Sequence, residues 1–277
     1  MAGDAAHPVS QAPARYVQAG AERLPAAAGV LAGVHYVEAR PAAVVDMPAA
    51  AAAVNQVLQA RVRQAVTAGH LPLVLAGSCD AAIGVVAGLD PGSCGLVWVD
   101  AHADFNTPRS SASGFFPGMS LATVTGHCHR RLWAALGGRP PIPEELVVLA
   151  GVRSLSPPAE ALRLRESAIH VVPWRHGRPD GDSAAALDEL ADRADRVYLH
   201  IDNDAFDPSV APGVVDQPVP GGLSLDQMED MIRAVTARLP VVAATIATYT
   251  PANDHHDQTL AANLRIIELL AEHAKQS

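Results

Sequence analysis

The chain has 277 residues, 49% hydrophobic but only 4% aromatic, so its core must be built mainly from Ala, Val and Leu, and its length alone allows one large α/β domain or two smaller ones. A formal charge of −9 argues against a nucleic-acid surface, which needs clustered Lys and Arg. Three cysteines, Cys79, Cys94 and Cys128, provide neither a disulfide framework nor a CxxC zinc pair, and no leader-like or bilayer-length apolar run occurs, so a cytoplasmic protein with no membrane partner is expected.

Predicted strands and helices alternate. Ala-rich helical periodicity runs through 48–68 and stops at Gly69. "LPLVLAG" reads as a strand, followed by a short helix near 80–89, and "LVWVD" is the next strand. "PGMSLATVTGH" begins another helix, "ELVVLAGVR" is a strand, and a charged helix near 158–167 precedes the short strand "IHVVP". A helix across "DSAAALDELADRA" leads into the strand "RVYLHIDND". Ser224 caps "LDQMEDMIRAVTARL", whose first turn carries acids that suit the helix dipole. "VVAATIATYT" is the last strand and 257–274 a closing amphipathic helix. The alternation implies a three-layer α/β/α arrangement around one parallel sheet. No repeat or domain boundary is evident, so residues 1–277 are read as one domain, with residues 1–12 expected to be disordered.

In such sheets, ligands bind beyond the carboxyl ends of the strands. "LVLAG" ends in Ser78-Cys79-Asp80, "LVWV" in Asp100-Ala-His102-Ala-Asp104, and "VYLHI" in Asp202-Asn-Asp204, with Asp207 close behind. Three strand ends therefore deliver a thiol, an imidazole and several carboxylates to one edge. Such carboxylates raise one another's pKa and cannot all ionise without a compensating cation. One divalent ion, or two sharing bridging carboxylates, resolves the conflict, and an oxygen-rich set with some imidazole suits Mn²⁺. Two such ions can also share and acidify a water. A lone Asp in these places would more simply cap a turn, but D-x-H-x-D and D-x-D at two strand ends favour metal.

"DAHADFNTP" and "DNDAFDP", followed by "PVPGGLS", resemble the signature segments of the arginase/agmatinase (ureohydrolase) family, over about residues 70–260. The resemblance implies an arginase-like α/β fold and a dinuclear manganese centre, two Mn²⁺ per chain, that hydrolyses guanidino groups. It makes Asp100 and Asp202 bridging ligands, with Asp104 completing the first metal and His102 with Asp204 the second. Asp207 would support the site from behind it.

The departures from the pattern carry further information. Where the family has Gly-Gly-Asp-His-Ser, with a metal-binding His, this chain has Ala76-Gly77-Ser78-Cys79-Asp80, which puts Cys79 in the His position and leaves Asp80 as the alternative. A thiolate beside a dication is deprotonated and tilts affinity towards softer ions. Cys94 and Cys128 read as small buried hydrophobes. At the last strand the family's guanidinium-pairing Glu is replaced by Thr248, and a proton-shuttling His by Pro117. Asn106, Ser111 and Ser113 match positions that hold a substrate's α-carboxylate and α-amino groups, although singly each could serve only a turn in a Pro-rich loop. Glu160 is a further candidate for the α-amino group.

A small guanidino amino acid is thus the expected partner, with Asp104 passing a proton during catalysis. Thr248 offers no counter-charge to a permanently protonated guanidinium. The less basic Nω-hydroxy-L-arginine, hydrolysed to L-ornithine and hydroxyurea as by the family's amidinohydrolases of D-cycloserine biosynthesis, is therefore the expected substrate. Plain arginase activity is the alternative, and a non-catalytic, metal-stabilised amino-acid-binding member is a third reading. The chain ends soon after its last helix, which favours a monomer.

Overall fold

The computed structural model describes residues 47–89, 92–137, 139–214 and 218–275. The expectation for residues 1–12 lies outside these. The chain enters through α1 (Met47–Thr67), then β1 (Leu73–Leu75), α2 (Ala81–Gly88) and β2 (Cys94–Val99). Next come α3 (Ser120–Val124), α4 (Arg130–Ala135), β3 (Val147–Ala150), α5 (Pro158–Glu166) and β4 (His170–Val172). A two-stranded antiparallel ribbon, β5 (Trp174–Arg175) with β6 (Arg178–Pro179), precedes α6 (Ser183–Ala191) and β7 (Arg196–Asp202). α7 (Leu225–Thr236), β8 (Val241–Ala247) and α8 (Gln258–Ala274) close the fold.

Six strands pair in the order β1-β8-β7-β2-β3-β4, every pair parallel. β2 is buried along its whole length and β7 along all but its first residue, as continuous apolar runs require when helices flank the sheet. The described residues share one buried core, in which Trp98, Tyr198 and Leu149 are among the largest fully buried side chains.

The expected Ser224 cap is built as the sequence suggests. Ser224 Oγ accepts the Gln227 amide at 3.2 Å while Gln227 Oε1 accepts the Ser224 amide at 2.8 Å, a reciprocal cap on α7. Asp182 caps α6 by accepting from the amides of Ala184 and Ala185, both at 3.0 Å. α2 lies tightly on α1: a Cβ at Gly84 would come within 2.8 Å of the Asn55 carbonyl oxygen, so only glycine lets the helices approach this closely.

Candidate metal centre

β2 and β7 are aligned so that Val99 pairs with Ile201, and one residue later Asp100 and Asp202 leave their strands side by side. From here β2 continues to β3 on one side of the sheet and β7 to β8 on the other. Neighbouring strands whose connections diverge open a crevice at their carboxyl ends, and the two acid-rich segments fall at that point.

The turns that follow bring in the remaining groups. Asp104 adopts a left-handed conformation (φ 47°), which Asp tolerates better than most residues. Asp204 sits in a 3₁₀ turn, Asn203–Ala205, its amide donating to Asp202 Oδ1 at 2.8 Å. His102 Nδ1 lies 3.0 Å from Asp204 Oδ2 and 3.5 Å from Asp100 Oδ1. Cys79 arrives from beyond β1, and its Sγ donates to Asp202 Oδ2 at 2.7 Å. Potential ligand atoms gather within 4.8 Å of one another in two triads, Cys79-Asp100-Asp104 and Asp100-His102-Asp204, which share Asp100. Asp202 stands outside both triads but touches Cys79 and Thr248.

The four carboxylates are at most 8% exposed, so their charges are poorly solvated. Burial, then repulsion from Asp204, pushes Asp100 up to about 6. Burial and Asp100 hold Asp104 well above the usual carboxylate range, and burial and Asp204 do the same to Asp202. Burial raises the Cys79 thiol, with Asp202 and Asp104 adding to it. Burial alone would raise Asp204 and lower His102, but their mutual contact outweighs it, keeping Asp204 low and pushing His102 up to about 12. Asp104 Oδ2 is buried with no hydrogen-bond partner at all. One imidazolium cannot neutralise four acids, and an orphaned carboxylate oxygen deep in the protein costs free energy. A divalent cation, or two sharing Asp100, fits this donor set.

The other sequence-identified residues fall into two groups. Thr248, at the end of β8 with φ 67°, donates its hydroxyl to Asp202 Oδ1 and so belongs to the centre. Pro117 is buried in the segment beside Asp104: the amide of Asn106 donates to Gly118 O at 3.1 Å, and a Cβ on Gly118 would be 3.9 Å from Asp104 Oδ1. Asp80 starts α2, takes a hydrogen bond from the Ser78 hydroxyl and joins neither triad, so Cys79 is the residue delivered to the cluster.

Asn106, Ser111, Ser113 and Glu160 are all engaged by protein groups, the two serines within their own turn and Asn106 and Glu160 between loops. Asn106 Nδ2 donates to Ser156 O at 3.0 Å and its Oδ1 accepts from Ser110 Oγ at 3.1 Å. Ser111 and Ser113 accept from the amides of Gly114 and Phe115 at 3.0 and 3.2 Å, the Ser-turn arrangement. Glu160 departs most from the expectation of an α-amino contact. It is 3% exposed, and its two oxygens accept the amides of Phe105 and Ser156, both at 3.1 Å, so it braces two loops. Asp207 lies outside the cluster and holds the next loop, accepting the amides of Ser209 at 3.0 Å and Gly221 at 2.8 Å. Cys94 and Cys128 are buried away from both triads, as expected.

Two residues that sequence reasoning missed support the site. Trp98 Nε1 donates to Asp100 Oδ2 at 2.9 Å, and its ring stacks on His200 with centroids 3.7 Å apart. The period-2 rule of strands, which puts Trp98 on the same face as Asp100, was a usable signal. The other is Arg153, a charge three residues beyond the end of the buried strand β3.

The arginase family model matches residues 6–271. The arginase of Bacillus caldovelox is 34% identical over 223 residues, covering 79% of this chain and 74% of that protein. The arginase of Bacillus subtilis strain 168 is 32% identical over 221 residues, 78% and 74% of the two chains. The solved structure of the Bacillus caldovelox arginase superposes with a TM-score of 0.79 at 30% identity, covering 92% of each chain.

Proposed function

The chain belongs to the arginase family, and on that premise we propose that it is a dinuclear-metal amidinohydrolase of Nω-hydroxy-L-arginine, releasing L-ornithine and hydroxyurea. Membership makes it a hydrolase of guanidino C–N bonds. The observation that supports the finer reading is Thr248, which follows β8, donates its hydroxyl to Asp202 and brings no carboxylate to the site. An arginine guanidinium is permanently charged, and burying it without a counter-ion is costly. N-hydroxylation withdraws electron density and makes the group much less basic, so the neutral form can sit beside Thr248 without that cost.

Cys79, Asp100, Asp104 and Asp202 would hold one Mn²⁺, and Asp100, Asp202, His102 and Asp204 a second. When bound, the ions supply the charge that polarises the guanidino group and acidifies a water near neutral pH. The chain's own residues do the rest. Trp98 and the His102 amide orient the two oxygens of Asp100, while the Thr248 hydroxyl orients Asp202 Oδ1. Asp104 Oδ2, which has no partner, would take the proton that the attacking water gives up and pass it to the departing ornithine nitrogen as the C–N bond breaks. Asn106, Ser111 and Ser113 would serve the unreacting α-carboxylate end of the substrate and contribute mainly to KM.

The names of the relatives favour a second reading, L-arginine itself as substrate. Rates measured on manganese-loaded protein with Nω-hydroxy-L-arginine, L-arginine, agmatine and guanidinobutyrate separate the two. We expect kcat/KM to favour the hydroxylated amino acid by at least about tenfold, about 1.4 kcal/mol of transition-state discrimination. Thr248→Glu should move the preference back towards arginine. Preference for arginine by the wild type, or a ratio unmoved by Thr248→Glu, would return plain arginase to first place.

A further inference from the structure

Arg153 follows β3 and carries its charge into the protein behind the cluster. Its Nη2 donates to the carbonyl oxygens of Asp204 at 2.7 Å, Phe206 at 3.0 Å and Val219 at 2.8 Å. Nη1 reaches Ala205 O at 3.1 Å and Gly151 O at 3.2 Å, and Nε reaches Val219 O at 3.1 Å. None of these partners is a carboxylate. Three successive carbonyls, Asp204 to Phe206, converge on one side chain, and without a donor their dipoles would repel one another. The main chain of the same segment ties the other acid-rich loop, because the amides of Arg153 and Ser154 both donate to Ala101 O at 3.0 Å.

The "PVPGGLS" segment is drawn into the same tie. Leu223 N donates to Ala205 O at 3.0 Å and Asp207 N to Leu223 O at 2.9 Å, and a Cβ at Gly222 would strike the Phe206 carbonyl carbon at 2.4 Å. The residues after β3 and β7 and the segment before α7 therefore meet at one guanidinium, while the loop after β2 is tied to the same stretch through main-chain amides.

We propose that Arg153 is a positioning residue: its guanidinium fixes the turn that carries Asp204, and so presets the His102–Asp204 half of the centre for its ion. This rests on the two-ion reading of the cluster. A planar fork of five N–H donors can serve several carbonyls at once, whereas a lysine ammonium is a compact point charge with three donors. Arg153→Lys therefore keeps the charge but loses the fork, and Arg153→Met loses both. Cys79 and Asp104 lie on turns that the side chain does not touch, so the effect should fall on one ion.

The test uses the full chain, stripped of metal and titrated with Mn²⁺ by calorimetry, with electron paramagnetic resonance at two equivalents. The wild type should bind two ions and give a spin-coupled spectrum. Both variants should keep one tight ion, bind the second at least about tenfold more weakly, in the range that outer partners of metal ligands command, and show the six-line spectrum of isolated Mn²⁺. Wild-type behaviour in Arg153→Lys would overturn the proposal, because charge alone would then suffice. Equal weakening of both ions, or failure of both variants to fold by circular dichroism, would also overturn it, since Arg153 would then serve the fold as a whole. A wild type that binds fewer than two ions would remove the premise itself, and that outcome is visible before any variant is measured.

Discussion

Asp100 is the carboxyl group on which both triads depend, and its two oxygens are held by different donors, the Trp98 indole and the His102 amide. Asp100→Asn should cost more activity than the roughly 10–100-fold that supporting partners are worth, and near-wild-type kcat would show that the shared position is misassigned. Trp98→Phe keeps an aromatic ring against His200 but releases Asp100 Oδ2. Its Mn²⁺ affinity should fall about 10-fold or more, and unchanged affinity in a titration would mean that the indole N–H is idle. Cys79→Ala should lower metal content while Cys94→Ala leaves it alone. Cys79 was legible in the sequence because the surrounding residues fix the register of its motif. Glu160 was not, because its partners Phe105 and Ser156 meet it only after loops from two strand ends have folded together.

The long elements were legible for a plain physical reason. β2 and β7 are continuous apolar runs, and α7 and α8 carry a strong helical period with recognisable starts. α4, with six residues, and the β5–β6 ribbon, with two-residue strands, are too short to show any period and went unseen. Strand order was not legible either: the acids marked which strand ends matter, but only the pairing of Val99 with Ile201 sets Asp100 beside Asp202. The α1–α2 contact offers a test of packing around this frame. Gly84→Ala gains about 1 kcal/mol of helix propensity. It also drives a methyl group to within 2.8 Å of the Asn55 carbonyl oxygen, a backbone atom that cannot rotate away. Overpacking of that kind costs about 1–3 kcal/mol, so denaturant unfolding should show net destabilisation. A stabilised variant would mean that the two helices separate easily.

Charge links the whole molecule to its site. In the metal-free protein His102 is pushed up to about 12, and Asp104 and Asp202 stay well above ordinary carboxylates. Groups with raised folded-state pKa values keep protons that the unfolded chain has released, so their stabilising contribution is lost as pH rises. His200 acts oppositely, since burial lowers it to about 3, but it is silent once pH exceeds its ordinary value of about 6.5. Between about pH 6.5 and 9 the metal-free protein should therefore melt at progressively lower temperature. Mn²⁺ should flatten or reverse that trend, because ligands bind metal in their deprotonated forms. Coincident melting temperatures with and without the ion at every pH would show that the cluster does not bind it. The substrate claim has a more direct test, an equimolar mixture of Nω-hydroxy-L-arginine and L-arginine offered to manganese-loaded protein, with hydroxyurea and urea quantified together. Their ratio reports the two kcat/KM values in one vessel; hydroxyurea should exceed urea by at least about tenfold, the margin expected when Thr248 leaves a permanent charge unpaired, whereas urea equal to or above hydroxyurea would contradict the account.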